Sequence, residues 1–122
     1  MQHSTGNPTK AQRKRFERMK DIGCIIFILR GGIHNIAGHV HHIVKGHKRL
    51  GHDYTLYLHP WYHVGLPPEG WTIEKATQEL GPSFALNKKA FIAEFGTEEA
   101  LLEFQNALLD HYIECEQWRD EE

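Results

Sequence analysis

His39-Val40-His41-His42-Ile43-Val44 and, after a glycine-punctuated loop, Tyr54-Thr55-Leu56-Tyr57-Leu58-His59-Pro60-Trp61-Tyr62-His63 are the two stretches whose reading decides the fold. The first is β-leaning. Val40 lies on one face, and His39 and His41 share the other. The second alternates as a strand should and then meets Pro60, whose fixed φ suits the first turn of a helix. Between them, residues 45–53 are basic and rich in glycine and read as a loop. A strand, a loop, a strand and a short helix through His63 therefore form the centre of the chain.

On the N-terminal side, residues 9–21 read as a basic helix. Thr9 is its cap, Phe16 and Met19 give a narrow apolar stripe, and Gly23 stops it. Residues 24–29 are apolar and β-branched and predict a buried strand, turned by Gly31-Gly32. On the C-terminal side, residues 65–70 with Pro67-Pro68 form a loop. Helices then follow from Thr72 to Gly81, over residues 87–95, and from Thr97-Glu98-Glu99-Ala100 onward. The last carries acids in its first turn and Leu101, Phe104, Leu108 and Tyr112 at helical spacing. Strands first and helices after predict an α+β fold, a ββα core flanked by an N-terminal basic helix and C-terminal helices. Residues 1–8 are expected to be a disordered lead. Residues 9–122 then make one domain, since a chain of 122 residues supports one core and not two.

Composition narrows the function classes. No apolar run approaches the ~18 residues that a membrane span needs, so no membrane is expected. Two cysteines, Cys24 and Cys115, make no disulfide framework, and a reducing cytoplasm is the expected compartment, the host's if the chain is phage-encoded. The net charge of −2 hides an asymmetry: residues 1–52 hold ten Lys/Arg against two Asp/Glu, and residues 53–122 hold four against fourteen. A basic half attracts phosphate backbones. Lys10, Arg13, Lys14, Arg15 and Arg18 on the first helix, and Lys45, Lys48 and Arg49 in the loop, are the candidate DNA contacts. The arm of residues 1–15 is expected to be mostly exposed, with the acidic helices facing away from DNA. Histidine is the outlier, with ten in the chain and eight of them between His34 and His63.

Hydrolysing a phosphodiester needs a water, a base to activate it and a cation for the leaving oxygen. Neighbouring residues at a strand end point to opposite sides, so His41 and His42 can divide the work between metal and water. His63 at a helix start offers a rigid further ligand. Trp61, Trp71 and the phenylalanines read as core.

Four blocks carry a resemblance: Ile22-Gly23-Cys24-Ile25-Ile26-Phe27, His39-Val40-His41-His42-Ile43, Arg49-Leu50-Gly51-His52-Asp53 and Leu58-His59-Pro60-Trp61-Tyr62-His63. Gly81-Pro82-Ser83 and Lys89-Ala90-Phe91-Ile92-Ala93-Glu94-Phe95-Gly96-Thr97-Glu98 extend it. In order, over roughly residues 9–109, they resemble the phage Ref family of RecA-dependent recombination-enhancement nucleases with an HNH core. The resemblance implies a metal-dependent DNA endonuclease with one divalent ion, Mg²⁺ or Mn²⁺ with Zn²⁺ as the alternative. It implies His41 and His63 as ligands, His42 as general base, DNA as substrate and a RecA-type recombinase filament as partner. His52 falls in a family motif and either orients the base or touches phosphate. The family also shows Cys-x-x-Cys at the first strand and Cys-Pro-x-His-His at the helix, which hold a structural zinc. The matching positions here are Cys24, Phe27, His59 and Tyr62. Phe cannot bind zinc, so the expectation is a lost zinc, with Phe27 and Tyr62 packed as a hydrophobic plug. The alternative is a rebuilt site from Cys24, His59 and His34.

Two further readings stand beside the nuclease. One is a nuclease-derived module that binds DNA or protein without cutting. The other is a histidine-rich metal carrier, which has no use for a basic arm.

Overall fold

Thr9 starts the first helix of the structure, a computed structural model that describes residues 6–120, with the backbone alone described for Asp120. Its hydroxyl accepts from the Gln12 N–H while the Gln12 side chain accepts from the Thr9 N–H, a reciprocal cap on α1 (Lys10–Ile22). Next comes α2 (Ile25–Gly31), where a strand was expected. An apolar run without a period suits a buried helix as well as a buried strand. Gly32 ends the helix in the left-handed region with φ 68°.

Strand β1 (His39–His42) pairs antiparallel with β4 (Thr55–Leu58), with His39 opposite Leu58, His41 opposite Leu56 and His42 opposite Thr55. A Cβ at Gly38 would lie 2.4 Å from the Leu58 carbonyl oxygen, so only glycine lets the chain enter this pair. The expected loop between the strands contains its own small hairpin, β2 (Val44–Lys45) and β3 (Lys48–Arg49). Its turn, Gly46-His47, has φ of 58° and 65° at the two central residues, the sense that matches strand twist. After β4 come α3 (Pro60–Val64), α4 (Ile73–Leu80), α5 (Lys88–Phe95) and α6 (Glu98–Asp120). Thr72 and Asn87 cap α4 and α5 through side-chain oxygens. The fold is α+β, and β1, β4 and α3 form its ββα centre. Among the described residues no helix is long and apolar enough to cross a membrane.

All four residues of β4 are buried, because the sheet is covered on both faces. One face carries Leu56 and Leu58 into the main core with Ile25, Ile26, Trp61, Tyr62, Phe91 and Leu101. The other carries Tyr57 and Val40 against Met19, Ile22 and Leu109 of α1 and α6. The outer edge of β4 is closed by side chains. Gln105, 1% exposed, accepts from the Tyr57 N–H at 2.8 Å and donates to the Thr55 carbonyl at 2.6 Å. Arg15 donates to the same carbonyl at 3.0 Å. An edge whose polar groups are already satisfied recruits no further strand. Residues 25–31 do not add to this edge and satisfy their own backbone as a helix.

The charge asymmetry of the sequence is not an asymmetry in space, contrary to expectation. Basic α1 packs on acidic α6, with Arg18 Nε 2.7 Å from a Glu116 carboxylate oxygen and the Tyr112 hydroxyl donating to Asp21 at 2.7 Å. Residues 6–15 are mostly exposed, as expected, but they are tied to the rest of the fold. Arg15 is part-buried, Arg13 donates to the Pro8 carbonyl, and the Gly6 carbonyl accepts a hydrogen bond from His52. Of the expected disordered lead, residues 1–5 lie outside the described residues, and residues 6–8 meet the fold through the Gly6 and Pro8 carbonyls.

Candidate active site

The strand period puts His39 and His41 on the α3 side of β1. Helix α3 brings His63 to meet them. Its start is fixed by Pro60 and by the His59 Nδ1, which accepts the Trp61 N–H at 3.0 Å. The His63 ring centroid lies 5.3 Å from that of His39 and 5.4 Å from that of His41. The Nδ1 atoms of His39 and His63 face each other at 3.1 Å. Burial, with lesser contributions from His41 and His39, pushes the His63 imidazole below its ordinary value. A lowered imidazole is neutral at physiological pH and keeps a lone pair for a metal or a proton.

A fourth group arrives from a distance. Glu98, buried at the start of α6, has a carboxylate oxygen 2.9 Å from His41 Nε2. An ionised carboxylate only accepts, so Nε2 carries the hydrogen and Nδ1 of a neutral His41 keeps the lone pair. Carboxylate–imidazole pairs of this kind set the ring orientation of metal-binding histidines. The sequence reading took Glu98 only as a helix-start acid, and nothing local says that it reaches back to β1. His39 had a signal, its i, i+2 relation to His41. Among the described residues, no three His, Cys, Asp or Glu side chains form a finished metal cage, and the imidazoles meet edge to face.

His42 turns to the other face, towards α1. Its Nε2 lies 3.0 Å from Nδ1 of His52, and Phe16 packs edge-on against both rings. Burial first, then the charge of Arg49 and the neighbouring imidazoles, His52, His41 and His63, push His42 down to about 4. The two histidine groups thus lie on either side of the end of β1 and within electrostatic reach of one another.

The positions compared with a zinc site hold a different arrangement. Phe27 and Tyr62 pack at 6.0 Å between centroids, near edge to face, as expected of a plug. Phe95 at 5.6 Å and Phe91 at 6.2 Å extend the cluster around Tyr62. The Tyr62 hydroxyl donates to the Leu80 carbonyl, and burial pushes it up to about 12. Cys24 is fully buried, which raises its thiol despite backbone hydrogen bonds at Phe27, His59 and Ile26. His59 spends Nδ1 as a helix cap. His34 is exposed and lines a groove with His111, Tyr112 and Cys115, on the α6 side of the molecule. The structure does not bring it to Cys24 and His59.

The expected phosphate contacts divide into two sets. Arg15 donates to Thr55 and Asn106, and Arg18 pairs with Glu116, so their donors are spent inside the fold. Lys48 and Arg49 are exposed on the β2–β3 hairpin beside His42. Lys45 on the same hairpin pairs with Glu99 at the surface. Lys10, Arg13 and Lys14 lie along the outer side of α1, with Lys14 3.6 Å from Glu17.

No curated protein and no solved structure matches the chain. The family model described as "Recombination enhancement, RecA-dependent nuclease" matches residues 8–110, which take in every histidine, hairpin and helix of this site. The chain therefore belongs to that family of recombination-enhancing, RecA-dependent nucleases.

Proposed function

We propose that the chain is a metal-dependent DNA endonuclease of the HNH type, with His42 as general base and His41 and His63 as metal ligands. The observation that carries this reading is the meeting of His39, His41 and His63 on one side of the end of β1, with His42 on the other. The order β1, β4, α3 supports the HNH assignment.

The donor set fits a divalent ion. His41 and His63 would hold it, with their rings 5.4 Å apart between centroids, and His39, whose Nδ1 lies 3.1 Å from that of His63, stands beside them. When bound, the ion supplies positive charge for the phosphate and the leaving oxygen. The four positions around Phe27 and Tyr62 do not fit a zinc, because a closed site needs four donors and two of these are rings. The plug takes its place in this reading.

His42 then acts as follows. Neutral at physiological pH, it accepts a proton from water as that water's oxygen bonds to phosphorus. The P–O bond to the leaving strand breaks with its electron pair on that oxygen, which takes a proton from a solvent water, and the His42 imidazolium returns its proton to solvent. Lys48 and Arg49 hold the backbone beside the base. The substrate is DNA, presented on a recombinase filament.

The test is cleavage of supercoiled plasmid in Mg²⁺ or Mn²⁺, with and without a RecA-type filament. Nicked or linear product formed only with the metal supports the reading. Binding without any cleavage, with the filament present, would replace it by a module that has kept the surface and lost the chemistry.

A further inference from the structure

His52 is only 8% exposed, and both of its ring nitrogens have partners. Nε2 lies 2.8 Å from the Gly6 carbonyl oxygen. A carbonyl only accepts, so this nitrogen must carry the hydrogen. In a neutral imidazole the other nitrogen, Nδ1, is then bare. It faces Nε2 of His42 at 3.0 Å and can only accept there. His42 therefore donates from Nε2, and its own lone pair is left on Nδ1. One backbone carbonyl fixes two tautomers in succession.

The surroundings hold this arrangement still. Phe16 lies edge-on to His52 at 5.7 Å and to His42 at 6.5 Å, so the first long helix walls both rings. The Thr55 hydroxyl donates to the His52 carbonyl at 2.9 Å and pins the turn that carries the ring. A base must present its lone pair to the water, and the partner of its other nitrogen decides which atom that is. After the proton moves, Nε2–H of the imidazolium keeps its bond to His52. The low exposure and the two engaged nitrogens leave His52 unsuited to a phosphate contact, the other role considered for it.

We propose that His52 is a positioning residue through which the Gly6 carbonyl sets the tautomer of His42, with the lone pair on Nδ1. The proposal rests on the reading of His42 as the base. It also gives the segment before α1 a role in the chemistry that its charge does not supply, since residues 1–7 contain no Lys or Arg.

The experiment is a long-range ¹H–¹⁵N correlation spectrum of the histidine rings in the full chain at neutral pH. The expected result is a protonated Nε2 and a bare Nδ1 on both His42 and His52. A bare Nε2 on His42 overturns the proposal. Two variants sharpen it: His52→Phe, which keeps the ring packing, and a chain beginning at Pro8. In both, His42 should become a tautomer mixture and cleavage should fall about 10–100-fold, the range for loss of an orienting partner one shell out. DNA affinity and its salt dependence should hold. A His42 spectrum and a turnover unchanged in the shortened chain overturn the role of Gly6, and the same result in His52→Phe overturns that of His52. The base assignment fails separately, if His42→Ala itself still cuts.

Discussion

Tyr62 and His63 are neighbours on one short helix, and they belong to opposite kinds of cluster. Tyr62 is fully buried among Phe27, Phe91 and Phe95, with its one polar atom bonded to Leu80. His63 is half-buried among His39 and His41, and the contacts there run nitrogen to nitrogen and nitrogen to carboxylate. The first cluster gains from area removed from water, and close-packed rings serve that end. The second buries less and keeps groups that are costly to desolvate. Half-buried imidazoles and a buried Glu98 add little to stability that rings of the same size would not add better. The contrast separates a part of the molecule organised for packing from the part proposed to carry the chemistry.

The sharpest way to break that contrast is at the base. His42→Ala should lower cleavage by about 10²–10⁴-fold, the contribution of a positioned base, while DNA affinity holds. Gel assays of initial rate beside binding titrations check both halves. On the packing side, Phe27→Ala should lower unfolding free energy by about 3 kcal/mol, the lower end for a phenylalanine because the ring is only half-buried. Urea denaturation measures it, and cleavage well below the transition should persist. Gln105→Leu removes two of the three bonds that close the β4 edge, and the Arg15 bond to the Thr55 carbonyl stays. Leaving the buried Tyr57 N–H without its acceptor should cost about 1–3 kcal/mol in the same assay. The smallest effect concerns DNA. Lys48→Ala with Arg49→Ala should make the slope of log affinity against log salt shallower by about 2 units if each meets one phosphate. Arg15→Ala should leave that slope unchanged and lower stability instead, because its donors are used within the fold.

What the sequence made legible follows from local physics. Pro60, Thr9, Thr72 and Asn87 marked helix starts, because caps and fixed φ act within a turn. The alternation around Val40 placed the histidines on their two faces, and the resemblance named His41, His42 and His63. The pairing of Phe27 with Tyr62 was also legible, since the resemblance matches rings to two positions that it assigns to zinc ligands. What stayed hidden depends on distant partners. Residues 25–31 fold as a helix, and the β4 edge they leave is closed by Gln105 and Arg15, neither of them near in sequence. Glu98 reaches His41 across 57 positions, and Gly6 reaches His52 across 46. Charge misled for the same reason, since α1 and α6 lie at opposite ends of the chain and pack together.

The central claim is that chemistry sits on the His63 side of α3 and packing on the Tyr62 side. The most direct measurement is the initial rate of plasmid cleavage by His63→Ala beside Tyr62→Phe, under identical metal and filament conditions. His63→Ala should lose more than the about 10–100-fold that follows loss of an outer partner, since a ligand itself is removed. Tyr62→Phe keeps the ring and should cut at close to the unmodified rate. Equal rates in the two variants, or a greater loss in Tyr62→Phe, would contradict the account.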